Sequence, residues 1–286
     1  MTYANPDALV ETDWLADHLD DPSIRVIDAT HFAPAVDRDA EFEHEMRHIP
    51  GAVWFDIDNI CAECSPLPHM VPPAERFEAL CGRLGLRNDQ RFIIYDALGG
   101  CCASARVWWM FRIFGHDNAA VLNGGLLKWI REKRPMEDGW NKPDATAFGA
   151  HFNDSQVRVW RQVKDNIESK VEQLVDARSH DRFHGLVDEV YLCKRHGHIP
   201  GSVNLPFTNI MENYKQDYVM KSPDGIRAAF AEAGVDMDAP IITTCGTGVT
   251  AAVPLLAMHL IGHDNVAMYD GSWNEWGNRP DLPIEI

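Results

Sequence analysis

The stretch I-I-T-T-C-G-T-G-V-T-A-A, residues 241–252, combines three local signals. The β-branched run at 241–244 predicts a short buried strand. Cys245 and two glycines follow, and the next apolar run, 249–261, predicts a helix with Pro254 near its first turn and Gly262 just past its end. The sequence therefore predicts a strand, a tight loop and a helix, with Cys245 at the mouth of the loop.

The position of Cys245 favours a reactive sulfur. Backbone N–H groups at a helix N-terminus and in a glycine loop attract an anion. We therefore expect a thiolate, which is the nucleophilic form of a cysteine. The alternative is a buried and inert cysteine, which is common for this residue type. Gly246 and Gly248 favour the reactive interpretation, because an inert core cysteine does not need a loop built around it.

Composition restricts the class of protein. With 286 residues, 45% hydrophobic and 24% charged, the chain is long enough for one large or two ordinary globular domains. Its formal charge of −17 argues against nucleic acid and anionic membrane surfaces as partners. The N-terminal segment is acidic, unlike a signal or transit peptide, and no apolar run is long enough to span a membrane. These features and seven cysteines, an odd number, predict a cytoplasmic protein with reduced thiols.

Internal repetition predicts a duplicated domain. The heptapeptide R-H-I-P-G-A-V at 47–53 recurs as G-H-I-P-G-S-V at 197–203, and G-H-D-N occurs at 115–118 and again at 262–265. The order is the same and both offsets are about 150 residues, which indicates two copies of one unit. In each copy short apolar strands alternate with helical stretches, and the second copy is expected to start with a helix over 156–170. We predict an α/β fold in which each unit is a mainly parallel sheet flanked by helices, with units at 1–138 and 155–286 and a linker at 139–154.

The two predicted units differ at the cysteine position. Asp96 follows the strand pattern of the first copy where Cys245 follows that of the second. The first unit is therefore expected to shape the site rather than to supply the nucleophile. Cys101 and Cys102 lie in the corresponding loop of the first unit, several residues past the strand end, and are weaker candidates for carrying sulfur.

These motifs resemble a known family. The loop C-G-T-G-V-T at 245–250, the two H-I-P-G copies and Y-D-G-S-W at 269–273 resemble the two-domain rhodanese-type sulfurtransferases over nearly the whole chain. The resemblance implies two tandem rhodanese-like domains. Members that use thiosulfate carry C-R-K-G-V-T, whereas this loop is closer to the C-G-S-G-V-T of the 3-mercaptopyruvate sulfurtransferases. Because thiosulfate is a dianion, a loop without Arg and Lys matches it less well.

The resemblance also implies a mechanism. Cys245 would take sulfur from 3-mercaptopyruvate as a persulfide and release pyruvate, and thioredoxin, a small thiol or cyanide would accept the outer sulfur. The loop amides would hold the persulfide anion as an oxyanion hole holds oxygen; the remaining loop residues implied are Gly246, Gly248, Val249 and Thr250. The family's loop hydroxyl falls on Thr247, and its proton-relay partners match Asp58 and His69 in the first domain. No cofactor is implied.

A carboxylate substrate favours recognition by arginine side chains. Arg182 matches the family's first substrate arginine. The second position holds Tyr191, which predicts a weaker hold on mercaptopyruvate and leaves the donor open. Lys194 or Arg195 would be the nearest alternative cations.

Three alternative functions fit the sequence less well. Thiosulfate sulfurtransferase activity uses the same chemistry. A cysteine phosphatase needs an arginine six residues after the cysteine, and that position is Ala251. A non-enzymatic sulfur-binding module would not need the retained Cys245 loop. The pair Cys61 and Cys64 has the C-x-x-C spacing but no second pair at zinc-ribbon spacing, so no metal site is predicted.

Overall fold

The first half of the chain forms one parallel sheet with its helices. The computed structural model describes residues 2–99, 101–212 and 218–286. In the first half its strands and α-helices are β1 (Leu9–Val10), α1 (Thr12–Asp17), β2 (Ile24–Asp28), α2 (Ala40–Met46), β3 (Val53–Trp54), α3 (Ala74–Arg83), β4 (Arg91–Tyr95), α4 (Cys102–Ile113), β5 (Ala119–Leu122) and α5 (Gly125–Arg131).

The second half repeats this plan and adds a small antiparallel pair. Its elements are β6 (Val157–Arg158), α6 (Trp160–Ser169), β7 (Gln173–Asp176), α7 (His180–Phe183), β8 (Val203–Asn204), β9 (Met211–Glu212), β10 (Val219–Met220), α8 (Pro223–Glu232), β11 (Ile241–Thr244), α9 (Ala252–Leu260), β12 (Val266–Tyr269) and α10 (Ser272–Trp276). Strands β9 and β10 pair with each other and not with the main sheet. No α-helix in the described part of the chain is long and apolar enough to cross a membrane.

The two main sheets have the same topology. Their strand orders are β1-β5-β4-β2-β3 and β6-β12-β11-β7-β8, and every neighbouring pair is parallel. Strand β11, which precedes Cys245, thus corresponds to β4, which precedes Asp96. The predicted α/β class and the duplication are confirmed.

The repeated H-I-P-G motif has a structural role in both halves. His48 forms an antiparallel bridge with Glu137, and His198 forms the equivalent bridge with Glu285. In each copy the motif glycine has a positive φ, about 75° and 77°, which favours glycine. Its N–H donates to the side chain of the same glutamate. The motif therefore closes a turn against the end of its own domain.

A shared core joins the two halves. Ile94 of β4 and Ile241 of β11 lie in one cluster that contains residues of both sheets, whereas their neighbours Ile93 and Ile242 lie in separate outer clusters. This alternation follows from the two-residue period of a strand. Helices α4 and α9 pack against each other within the shared core. The facing sides of the two domains therefore form one apolar interface.

Two local predictions needed correction, and the predicted linker is more closely packed than a mobile segment would be. The helix expected over 156–170 begins only at Trp160, because Val157–Arg158 pairs with β12 as a strand. The helix expected over 249–261 begins at Ala252, because the preceding residues belong to the cysteine loop. The segment 139–153 contains no helix or strand but is not a free linker, since Phe148 is buried beside Phe77 and Phe92. The exact domain boundaries stay a prediction.

Candidate active site

Cys245 lies at the carboxyl end of β11, where ligand sites of parallel sheets usually form. Its residue surface is 1% exposed. It borders a cavity of about 190 Å³ between the two domains. The volume is enough for several water molecules or a small organic acid. The walls are largely apolar; the first domain contributes His31, Ala33, Leu98, Cys102 and Ala103, and the second contributes Arg182, Val190, Tyr191, Phe207, Cys245, Gly246, Thr247, Val249 and Thr250.

The loop after Cys245 has hydrogen-bond donors available to an anion. Among the described residues, the backbone N–H groups of residues 246–250 donate to no protein group, whereas that of Cys245 donates to Ser272 Oγ at 3.2 Å. Packing requires a glycine at position 248, whereas a side chain at position 246 would fit only if Arg182 moved. A Cβ at Gly246 would lie 2.6 Å from Arg182 Nη2, and one at Gly248 would lie 2.8 Å from the Asp270 carbonyl oxygen. Gly248 also has a φ of +78°.

In the first domain, the loop that corresponds to the Cys245 loop binds the carboxylate of Asp96. The buried Asp96 carboxylate accepts hydrogen bonds from the backbone N–H groups of Leu98, Gly99 and Ser104 and from the Ser104 hydroxyl. Burial raises the pKa of Asp96 above its ordinary value. In the first half of the chain, the Asp96 side chain therefore accepts the hydrogen bonds that the loop amides can donate. In the second half a cysteine replaces the carboxylate and the donors stay open.

Thr247, His69 and Asp58 form a hydrogen-bonded series at the domain interface. His69 Nε2–H donates to Asp58 Oδ1 at 2.8 Å, and the Thr247 hydroxyl, 3.3 Å from His69 Nδ1, can donate to that nitrogen. Burial lowers the pKa of His69, so its ring is neutral at pH 7. His69 also has a φ of +59°, which an L-residue rarely adopts. The structure thus brings together the three polar side chains that the resemblance implied; their roles stay predictions.

Two further side chains extend this series. His31 Nδ1 lies 3.2 Å from Asp58 Oδ2, and its Nε2 lies 3.0 Å from the Tyr191 hydroxyl. Hydrogen bonds from His31 and His69 lower the pKa of Asp58 well below its usual range, so its carboxylate is ionised at neutral pH. Burial raises the pKa of Tyr191, which keeps its hydroxyl protonated. A polar chain therefore runs from Tyr191 through His31, Asp58 and His69 to Thr247.

Arg182 reaches the cavity but is already paired. Its Nε donates to Glu189 Oε2 at 2.9 Å, and its Nη2 is bonded to the same oxygen. The other oxygen of Glu189 accepts from the buried Arg178 at 2.6 Å. One glutamate thus holds two arginines, and the positive charge that Arg182 offers to a ligand is partly neutralised.

The other cations proposed from the sequence do not line the cavity. Arg195 donates to the backbone carbonyls of Trp276, Gly277, Arg279 and Leu282, so it organises the C-terminal segment. The suggestion that Arg195 binds substrate is therefore wrong. Lys194 lines an adjoining open groove instead of the cavity. At the family's second arginine position only the neutral Tyr191 faces the cavity.

Arg106 ties the first domain to the cysteine loop. It is fully buried, and its Nη2 donates to Asp270 Oδ1 at 2.7 Å and to the His69 carbonyl at 2.6 Å. Its Nη1 donates to the Gly248 carbonyl at 3.3 Å. One guanidinium thus holds the backbone beside His69 and the backbone of the loop that follows Cys245.

Four of these residues were not predicted from the sequence. His31 and Asp270 lie just beyond the carboxyl ends of β2 and β12, which is a position where polar side chains often line a site. That signal was available. No local pattern indicated that Glu189 would pair with Arg182, although the two are only seven residues apart, because no regular element sets their relative position. No pattern indicated that Arg106 would cross the interface, because its partner Asp270 lies 164 residues away in the chain.

The fold and this site define a duplicated α/β protein with a cysteine-loop centre at its domain interface. A family model described as "Rhodanese-like domain" matches residues 11–132 and 159–279. The chain therefore belongs to the rhodanese-like family.

Individual relatives carry two different activity names. The chain is 42% identical to human 3-mercaptopyruvate sulfurtransferase over 95% of its own length and 92% of the relative. It is also 42% identical to rat thiosulfate sulfurtransferase, with the same coverage. The crystal structure of SseA from Escherichia coli, described as a 3-mercaptopyruvate sulfotransferase, is 40% identical and superposes with a TM-score of 0.85 over 93% of this chain and 98% of that one. Overall sequence identity does not distinguish 3-mercaptopyruvate from thiosulfate as the sulfur donor. The composition of the cysteine loop is therefore the feature that can distinguish them.

Proposed function

We propose that this protein is a sulfurtransferase that takes sulfur from 3-mercaptopyruvate through a persulfide on Cys245. The observation that carries the proposal is the loop of unpaired amides around a cavity-lining cysteine, next to Thr247, His69 and Asp58. The domain with the nucleophile is 155–286, and 1–138 supplies His69 and Asp58. The relatives' names support the reaction class.

The geometry supports the following sequence of steps. The Cys245 thiolate attacks the sulfur of 3-mercaptopyruvate, and the carbon–sulfur bond breaks with its electrons passing to the enolate of pyruvate. The proton of the substrate thiol passes through the Thr247 hydroxyl to His69 and then to the enolate carbon. Asp58 keeps the His69 ring oriented. The persulfide stays anionic because the N–H groups of Gly246, Thr247, Gly248, Val249 and Thr250 are available to it.

The second half-reaction regenerates the thiolate. A thiol, such as that of thioredoxin or a small molecule, or cyanide attacks the outer sulfur, and the sulfur–sulfur bond breaks with its electrons returning to Cys245. The identity of the acceptor and a cytoplasmic location are parts of this proposal that rest on chemistry and cysteine usage. The net charge of −17 fits neither nucleic acid nor an anionic membrane as partner.

The loop composition supports mercaptopyruvate over thiosulfate. Residues 246 and 247 are Gly and Thr, so the loop offers no side-chain cation to a dianion. An arginine at position 246 would also displace Arg182 from its place against the loop, because even a Cβ there would lie 2.6 Å from Arg182 Nη2. Thiosulfate sulfurtransferase activity, the name of the rat relative, is the alternative. A silent sulfur-binding module is the more distant one.

Comparing the two donors tests the proposal. We expect kcat/KM for 3-mercaptopyruvate to exceed that for thiosulfate by at least about tenfold, because each missing charge-assisted hydrogen bond costs roughly 1.5–3 kcal/mol. Steady-state kinetics with cyanide as common acceptor gives both values. A preference for thiosulfate would refute the loop argument, and turnover of neither donor would favour a binding module.

Tyr191 is expected to limit the affinity for a carboxylate donor. Replacing it with arginine should lower KM for 3-mercaptopyruvate about tenfold, because a charge-assisted hydrogen bond replaces a neutral hydroxyl. Tyr191→Phe is the matched control; it removes the hydroxyl that faces His31 and adds no charge. If Tyr191→Arg raises KM or leaves it unchanged, the substrate carboxylate does not lie near this side chain.

A further inference from the structure

His31, Asp58 and His69 bring three metal-ligating atoms together beside the cysteine loop. Among the described residues these three form a group whose ligand atoms all lie within 4.8 Å of one another. His31 Nδ1 is 3.2 Å from one Asp58 oxygen, and His69 Nε2 is 2.8 Å from the other. We propose that the three side chains bind one divalent transition-metal ion, with Zn²⁺ the best fit, and that the bound ion inhibits sulfur transfer.

The donor set and spacing suit zinc. Two imidazole nitrogens and a carboxylate oxygen are typical ligands of an open zinc site, in which a fourth position is left for water or another small ligand. With zinc–ligand bonds near 2.1 Å, neighbouring ligands of a tetrahedral site are roughly 3.4 Å apart. The two nitrogen–oxygen separations, 2.8 and 3.2 Å, involve different oxygens of Asp58 and need a small expansion. The two ring nitrogens, which lie within 4.8 Å of each other, have to settle at about 3.4 Å. Asp58 supplies the freedom for it, since its side chain is 61% exposed.

The outer ring nitrogens of His31 and His69 each face a hydroxyl group, as the outer nitrogens of metal-binding histidines commonly do. Ligating histidines normally donate their second N–H to a nearby oxygen. His31 Nε2 faces the Tyr191 hydroxyl at 3.0 Å, and His69 Nδ1 faces the Thr247 hydroxyl at 3.3 Å. A hydroxyl can accept as well as donate a hydrogen bond. Each neutral ring can therefore move its proton from the inner to the outer nitrogen and keep its hydrogen bond.

Access and charge also favour a cation. Asp58 and His69 line an open groove of about 800 Å³, so an ion can enter without unfolding. Arg76 and Lys194 line the same groove, and Arg76 is paired with Glu63. Two neutral imidazoles and one carboxylate leave a bound divalent ion with one net positive charge, which the strongly acidic chain attracts.

Inhibition follows because a bound ion reverses the hydrogen bond between His69 and Thr247. This part of the inference rests on the proposed function. With a metal on Nε2, His69 carries its proton on Nδ1 and donates to Thr247. The ring can then no longer take a proton from the Thr247 hydroxyl. The ion also occupies the Asp58 oxygen that orients the ring. Sulfur transfer from a thiol donor would therefore stop while the ion is bound, and chelation would restore it.

Binding is tested on the resting protein without any sulfur donor. Zn²⁺ is competed against a chromophoric chelator, and Co²⁺ is added separately to record its visible spectrum. We expect one ion per chain, a tetrahedral Co²⁺ spectrum without a thiolate charge-transfer band, and at least about 100-fold weaker binding in His31→Ala, which lacks one of three ligands. His180→Ala, which removes an exposed histidine elsewhere, should bind as the unmodified protein does.

Two neighbouring thiols need their own controls. Cys61 lines the groove and Cys245 lines the cavity, so both could bind zinc by themselves. Cys61→Ser and Cys245→Ser should keep the full affinity. Loss of binding in either variant, unchanged binding in His31→Ala, or no binding at all would overturn the proposal. If His31→Ala is misfolded by circular dichroism, His31→Gln takes its place and the same loss is expected.

Inhibition of sulfur transfer by the bound ion is tested separately from binding of the ion. Zn²⁺ at saturation should reduce turnover at least about tenfold in the unmodified protein, with full recovery on adding a chelator, and much less in His31→Ala at the same concentration. Tight binding with undiminished turnover would refute the inhibitory role. Absence of turnover with any donor would refute the proposed function and leave the binding result intact.

Discussion

Cys245→Ser is expected to abolish sulfur transfer from every donor, with a loss of roughly 10⁴-fold or more in kcat. A serine hydroxyl is hardly ionised at neutral pH and cannot carry a second sulfur atom, so neither half-reaction has a substitute nucleophile. The change removes one sulfur from a loop that otherwise keeps its glycines and amide donors. Steady-state kinetics measures the loss. Mass spectrometry after donor treatment should find one extra sulfur atom on the Cys245 peptide of the unmodified protein and none in the variant.

Cys101→Ser and Cys102→Ser are the matched controls for Cys245→Ser. Both residues lie at the start of α4, in the loop of the first domain that corresponds to the Cys245 loop. Burial raises the pKa of both thiols, so neither supplies a thiolate at neutral pH. Each variant should keep most of the activity. Transfer that survives in Cys245→Ser but disappears in Cys101→Ser or Cys102→Ser would move the nucleophile to the first domain.

Arg106→Met should cause a large loss of stability, because Arg106 is one partner of a buried ion pair. The Asp270 carboxylate now accepts hydrogen bonds from Arg106 and from the Val71 N–H. The substitution leaves this carboxylate buried with the Val71 N–H alone. Removing one partner of a buried ion pair costs about 3–5 kcal/mol. The free energy of unfolding, measured in urea, should fall by that amount. The folded fraction should also show a lower kcat, because Arg106 holds the His69 carbonyl and the Gly248 carbonyl together.

Two variants separate the ion pair from helix packing. Arg112→Met removes another arginine of α4 whose partner, Asp117, is mostly exposed, and it should cost about 1 kcal/mol or less. The double variant Arg106→Met with Asp270→Asn removes both buried charges and should regain part of the stability without regaining the activity. If Arg106→Met is no more destabilising than Arg112→Met, Arg106 does not tie the domains together.

Much of the fold could be predicted because its signals are local. The run at 241–244 has the β-branched composition of a buried strand, and it forms β11. The repeated H-I-P-G and G-H-D-N segments indicated two copies, and the two sheets have the same strand order. Errors occurred where a tertiary contact overrides local pattern. Val157–Arg158 has a polar, helix-compatible neighbourhood, but it becomes a strand because β12 offers an open edge.

The candidate site divides in the same way. The sequence by itself determined the cysteine loop with its glycines, and the family resemblance implied Thr247, His69, Asp58 and Arg182. Only the tertiary structure decided that His31 contacts both Asp58 and Tyr191. Tyr191 lies 160 residues away from His31 in the chain. It also decided that Glu189 occupies Arg182, and that Arg106 spans the interface. The physical reason is that a loop's backbone conformation follows from nearby residue types, whereas side-chain pairing depends on how separate segments fold against one another. Such pairing occurs within one domain, as for His31 with Asp58, and across the interface, as for Arg106 with Asp270.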